Sequence, residues 1–161
     1  MSGARKFLNL PADDKLLLVE AGLLVVFVRL GLWLLPFRVM RRVSQGLGTW
    51  GLGLGARGAK SGAARRPVLA PERIAWAVSV VSHYIPCATC LTQALACQAL
   101  LGRRGYPAQL RIGVARCAHG RMQAHAWVEV DGRAIIGDDQ NLARYAVLPP
   151  IDRARRVEAG K

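Results

Sequence analysis

The 161-residue sequence predicts an α+β fold in which helices lead into an antiparallel sheet. Three observations predict it. Apolar residues recur at helical spacing through three segments: 16–37, 72–84 and 90–104. After Tyr106 the apolar period shortens from about 3.6 to 2, the change expected where helix gives way to strand. Asp131-Gly132 then separates two alternating runs, a strong short-range signal for a hairpin.

The first helix is expected over Leu16–Phe37, capped by Asp13 or Asp14 and ended or kinked by Pro36. The run Leu23–Val28 is apolar on every side, so the helix is buried or in contact with lipid. A membrane span needs about twenty apolar residues. Arg29 interrupts this one, and a central charge costs at least about 2.5 kcal/mol. A core or interfacial helix is therefore favoured, and membrane association through this helix is the less favoured reading. Asp13, Asp14, Lys15 and Glu20 precede the apolar run, and no small-residue cleavage site follows it at the usual distance, so it does not read as a cleavable signal.

Glycine at positions 46, 48, 51, 53, 55, 58 and 62 cannot hold a regular helix without cost, so a Gly/Arg-rich linker is expected there. Three regions follow: 1–66 as N-terminal helical region and linker, 67–150 as the chemical core, and 151–161 as a basic tail. Pro71 suits the opening of a second helix, Glu72–Tyr84, with Ile74, Ala77, Val78 and Val81 on one face. Pro86 marks a turn. Thr89 is a good N-cap, which makes Cys90 the first residue of a third helix, Cys90–Arg104, with Leu91, Ala94, Leu95, Cys97 and Leu101 inward. Arg103 and Arg104 complement the negative helix end, and Gly105 supplies a left-handed stop. Ala108–Val114 reads as a strand, then Ala124–Val130 and Arg133–Asp138 as the two arms of the hairpin.

The formal charge is +13, which favours acidic partners: nucleic acid, an anionic membrane surface or an acidic peptide. Much of the excess lies in two short Arg runs, and only three Phe and three Tyr are present for base stacking. A nucleic-acid partner is therefore disfavoured. The four cysteines, Cys87, Cys90, Cys97 and Cys117, do not make a cysteine-dense secreted domain, so reduced thiols in a cytoplasmic setting are expected.

A thiol in the first turn of a helix faces the positive end of the macrodipole and unpaired amide hydrogens, which stabilise a thiolate and can hold an oxyanion. Cys90 has this placement, whereas Cys97, two turns deeper, reads as a packing thiol. A lone cysteine is more often a small buried hydrophobe. His125 alters that balance. It shares a strand face with Trp127 and Glu129, while Ala126, Val128 and Val130 take the other. A regular two-residue turn at Asp131-Gly132 pairs Val130 with Arg133, Val128 with Ile135 and His125 with Asp138, bringing their Cβ atoms to about 5 Å. Asp138 would then orient the imidazole and leave its other nitrogen for the thiol. A bulge would undo this count, and Asp139 is the reserve.

Other uses of these residues compete. Cys87 and Cys90 with Cys117 and His119 offer four zinc donors, but the second pair is poorly spaced. Cys87-Ala-Thr-Cys90 has the spacing of a redox dithiol but lacks the strand and βαβ pattern expected before one. His83 and His119 have no evident chemical partner. Trp127 reads as a packing wall beside His125.

The segments Cys90-Leu-Thr-Gln-Ala-Leu-Ala, Leu100-Leu-Gly-Arg-Arg-Gly-Tyr-Pro-Ala, Leu110-Arg-Ile-Gly-Val, Ala124-His-Ala-Trp-Val-Glu-Val-Asp-Gly and Gly137-Asp, in this order, resemble the transglutaminase-like leader peptidases of lasso peptide biosynthesis. The resemblance covers about Ala88–Asp139. It implies a papain/transglutaminase-like core with a catalytic Cys90, His125 and Asp138, and a thiol protease that removes the leader from a ribosomally made precursor peptide. It implies two protein partners, a small leader-recognition protein and a macrolactam synthetase, and no metal or nucleotide cofactor. Cys87 is not part of the motif. The alternatives are a basic membrane-surface or peptide-binding module with an inert cysteine, and an acyltransferase of transglutaminase type.

Overall fold

The computed structural model describes residues 10–34, 39, 69–116, 120–137 and 142–149. Among the described residues, helices α1 (Ala12–Leu34), α2 (Pro71–Ser82) and α3 (Cys90–Arg103) precede β1 (Gln109–Arg116), β2 (Met122–Val130) and β3 (Arg133–Ile136). A short 3₁₀ turn, Leu142–Arg144, leads to β4 (Ala146–Val147). The sheet is antiparallel in the order β3-β2-β1-β4, and with the helices before it gives the expected α+β fold. The stretch expected to be a linker and the basic tail both lie outside the described residues.

Helix α1 starts earlier than expected. The Pro11 carbonyl accepts from the amides of Asp14 and Lys15, so both candidate capping aspartates lie inside the first turn. Asp14 is instead buried and bound by Arg73 of α2, whose Nε donates to Oδ1 at 3.0 Å. That bond holds the Arg73 guanidinium above its ordinary pKa. Glu20 ties the same helix to the end of α3, accepting from Arg103 at 3.1 Å and from Arg104 at 2.8 Å. On the inner face of α1, Leu17, Ala21, Leu24, Val25 and Val28 pack into one core with α2 and α3. Each large side chain among them contributes roughly 1.5–3 kcal/mol on leaving water.

The helices cover one face of the sheet, meeting Ala126, Val128, Val130 and Ile136. A smaller cluster, Ala115, Trp127 and Tyr145, lies on the opposite face. Tyr145 and β4 are additions to the expected meander, with β4 pairing along the free side of β1.

The hairpin turn forms where expected. Asp131 and Gly132 both adopt positive φ, at 50° and 79°, as a tight turn of this hand requires. The register beyond it differs. Val130 faces Arg133 and Glu129 faces Ala134, but Val128 faces Ile136 rather than Ile135. Ile135 is therefore the extra residue of a β-bulge. The cause lies in the sequence: two consecutive isoleucines cannot both face the core from a regular strand. The bulge lets both pack against the helical core, while Ala134 turns to the Trp127 side.

Candidate active site

Thr89 caps α3 as the sequence predicts. Its backbone is extended, at φ −84° and ψ 167°, and its Oγ1 accepts from the Thr92 amide at 3.4 Å. The Thr89 carbonyl accepts from the Gln93 amide at 3.1 Å. Among the described residues, the amides of Cys90 and Leu91 are left as the open donors of the first turn. At the other end, Gly105 is left-handed with φ 82°, and the Tyr106 amide donates back to Leu101 at 3.1 Å, the expected stop. Cys90 is thus the first residue of a helix closed at both ends, half-buried against the core and with a free thiol.

The other described cysteines sort by environment. Burial pushes the Cys97 thiol up to about 12, so it stays protonated at neutral pH and packs as a small hydrophobe. Cys87 is exposed, in a left-handed conformation with φ 59° at the turn before α3. Cys117 and His119, the other half of the candidate zinc set, lie outside the described residues. Exposed His83 contacts the Ser79 carbonyl at the end of α2.

His125 lies on β2 opposite Gly113 of β1. Its Nε2 donates to the Gly137 carbonyl oxygen at 2.8 Å. A carbonyl only accepts, so Nε2 carries a proton, and in the neutral ring the free lone pair is on Nδ1. The imidazole stacks on Tyr145 with ring centres 5.3 Å apart and on Trp127 at 6.2 Å. Trp127 is the expected wall, and it is itself fixed: its Nε1 donates to Glu129 at 2.9 Å, and Arg111 donates to the same carboxylate at 2.9 Å. Gly113 makes room for this cluster. A Cβ there would come within 2.8 Å of the Tyr145 Cβ and 3.1 Å of the Trp127 ring.

His125, Trp127 and Glu129 share a face as predicted, and it is the face turned away from the helices. The described residues contain no hydrogen bond between the Cys90 thiol and the imidazole. Strand β3 accompanies β2 only along Val128–Val130, so at His125 that edge of the sheet is open among the described residues.

The register count that named Asp138 does not survive the bulge, because Val128 already faces Ile136. Gly137 then leaves the strand with φ 76°, close to the Ala126 carbonyl, so regular pairing does not continue toward His125. Asp138 and Asp139 lie outside the described residues. The Gly137 carbonyl and Tyr145 are the site groups that the sequence reading missed. Adjacent Ile135 and Ile136 signalled the bulge, and Gly113 inside an apolar strand signalled a close approach. Tyr145 left no signal.

The family described as the Transglutaminase-like superfamily matches residues 31–149, well over half of the chain. No curated protein and no solved structure matches.

Proposed function

Because the chain belongs to the transglutaminase-like superfamily, whose members include cysteine peptidases and acyltransferases, we propose that it is a cysteine endopeptidase that removes the leader from a ribosomally made lasso precursor peptide. The observation that carries the chemistry is Cys90 at the first position of a capped helix with two open amides. The choice of substrate rests on the ordered resemblance from Cys90 to Gly137-Asp138.

In this reading Cys90, His125 and Asp138 are nucleophile, base and orienting carboxylate. Cys90 packs on the helical side of the sheet and His125 on the other face, so the reaction is assigned to the open edge of the sheet at His125, round which the imidazole must swing to meet the thiol once substrate is bound. Nδ1 takes the Cys90 proton, and the thiolate attacks the carbonyl at the leader–core junction. The Cys90 and Leu91 amides hold the oxyanion. The imidazolium returns its proton to the departing core amine, leaving a thioester on Cys90. Water, deprotonated at Nδ1, then releases the leader carboxylate and restores the thiol. The Gly137 carbonyl holds the Nε2 proton in the free protein, and in this reading Asp138, the next residue, takes over that hydrogen bond in the complex and keeps the ring in the tautomer that the cycle needs. A leader-recognition protein and a macrolactam synthetase are the proposed partners, in a cytoplasmic setting, and the cycle uses no cofactor.

The test is leader cleavage by the full chain with precursor and partners, followed by mass spectrometry. Cys90→Ala is expected to abolish product, and cleavage at the wild-type rate by Cys90→Ala would overturn the proposal. Adding a competing amine separates the two outcomes of the shared thioester: free leader carboxylate indicates hydrolysis, and a leader amide indicates acyl transfer.

A further inference from the structure

Helix α1 is apolar on two sides, and only one of them is used. Leu17, Ala21, Leu24, Val25 and Val28 are in the core. On the opposite side Leu16, Leu23, Phe27, Leu30, Trp33 and Leu34 face outward, each between 46% and 75% exposed. Their spacing places them on a single helical face, running the length of the helix. Scattered exposed leucines need no explanation, but a continuous stripe of large side chains does.

The charges around it identify what covers it. Of the three acidic groups on α1, Asp14 and Glu20 are bound to arginines within the fold, and Asp13 is exposed in the first turn, ahead of the stripe. Arg29 lies beside the stripe and makes no ion pair among the described residues. The sequence continues with Arg38, Arg41 and Arg42, and Arg5, Lys6 and Lys15 stand around the helix's start in the chain. An apolar stripe with Lys15 and Arg29 on its own helix and further cations before and after it in the sequence suits an anionic lipid surface, where side chains enter the acyl boundary and cations meet headgroup phosphates. A second copy of this chain is a poorer match, because two bodies of charge +13 repel.

The C-terminal half of the helix adds a specific feature. Val26, Leu30 and Trp33, with Ile85 and Pro86 of the α2–α3 turn, line a groove of about 300 Å³ whose one charged wall residue among the described residues is Arg29. An apolar groove with a single cation matches an acyl chain and its anionic headgroup.

By length and composition α1 is long and apolar enough to cross a bilayer. Crossing would strip its inner face from α2 and α3 and expose the Asp14–Arg73 pair to lipid. We infer that α1 instead lies along the surface of an anionic membrane, its outer stripe immersed and its inner face still in the protein core. This inference is independent of the peptidase reading.

The experiment is co-sedimentation of the full chain with phosphatidylcholine vesicles and with mixed phosphatidylcholine–phosphatidylglycerol vesicles. The wild type is expected to pellet with the mixed vesicles, less so as salt is raised. The double variant Leu23→Glu, Phe27→Glu changes only exposed positions, so circular dichroism is expected to show an unchanged fold while vesicle partitioning falls at least about tenfold. No binding to the mixed vesicles, equal binding to both compositions, or undiminished binding by the double variant would each overturn the inference. So would a wild-type dimer in ultracentrifugation that the double variant dissolves without any vesicle binding, since the stripe would then belong to a second copy.

Discussion

The start of α3 and the far end of the β2–β3 hairpin supply the two halves of the proposed chemistry, and they are specified over different distances. At the start of α3 everything is local: Thr89 caps, Cys90 follows, and Thr92 supplies the capped amide within one turn. At the hairpin, the partner of His125 depends on whether the pairing stays regular all the way from the turn to residue 138. One inserted residue, Ile135, is enough to shift it. Local hydrogen bonding therefore positions Cys90, the proposed nucleophile, whereas His125, the proposed base, is held by what the tertiary structure brings around it: the Gly137 carbonyl, Trp127 and Tyr145.

The comparison can be broken first at the carboxylate. The chain offers Asp138 and Asp139 side by side after the carbonyl that holds the ring. With Asp138 as the orienting group, Asp138→Asn is expected to lower kcat by about 10²–10⁴-fold, while Asp139→Asn stays near the wild type. The reverse order would transfer the role to Asp139, the residue that a one-step register shift favours. Steady-state cleavage of the precursor by both variants decides between them.

A smaller effect is expected at Gly113, which touches no substrate in the proposed mechanism. Gly113→Val pushes a side chain against Tyr145 and Trp127, whose rings flank the imidazole. The protein is expected to remain folded with kcat reduced about tenfold, KM little changed, and the imidazole resonances of His125 shifted in NMR spectra. An unchanged His125 environment together with full activity would mean that the ring cluster is only packing.

The smallest effect is expected at the cap. Thr89→Ala removes the oxygen that binds the Thr92 amide and is expected to cost about 1 kcal/mol in denaturant unfolding. Thr89→Ser keeps that oxygen and is expected to restore most of the loss. Failure of Ser to rescue would indicate that the Thr89 methyl group, rather than its cap, supports the helix start.

These contrasts also show how much of the molecule was legible in its sequence. The order of helices and strands, the Thr89 cap, the Gly105 stop and the Asp131-Gly132 turn follow from residues adjacent in the chain, and the structure contains all of them. The features that escaped depend on distant partners. Asp14 has the composition of a cap but is drawn into the core by Arg73, 59 residues away. The bulge depends on a helical layer that gives both Ile135 and Ile136 a place to bury. Tyr145 reaches His125 through a strand of two residues, too short to leave a period. At the candidate site, the residue types and the shared face of His125, Trp127 and Glu129 were readable. The group that holds the imidazole was not, because a backbone carbonyl has no signature in sequence.

The central claim is that the Cys90 thiol is served by the His125 imidazole, although no hydrogen bond joins them in the free protein. Alkylation by iodoacetamide at neutral pH, followed by peptide mass spectrometry of each cysteine, tests it most directly. Cys97 is expected to be inert in the folded protein because burial keeps it protonated, and exposed Cys87 serves as the internal reference. Cys90 is expected to react faster than Cys87, and His125→Ala is expected to remove that advantage while leaving Cys87 unchanged. Equal Cys90 rates in the wild type and His125→Ala would contradict the account.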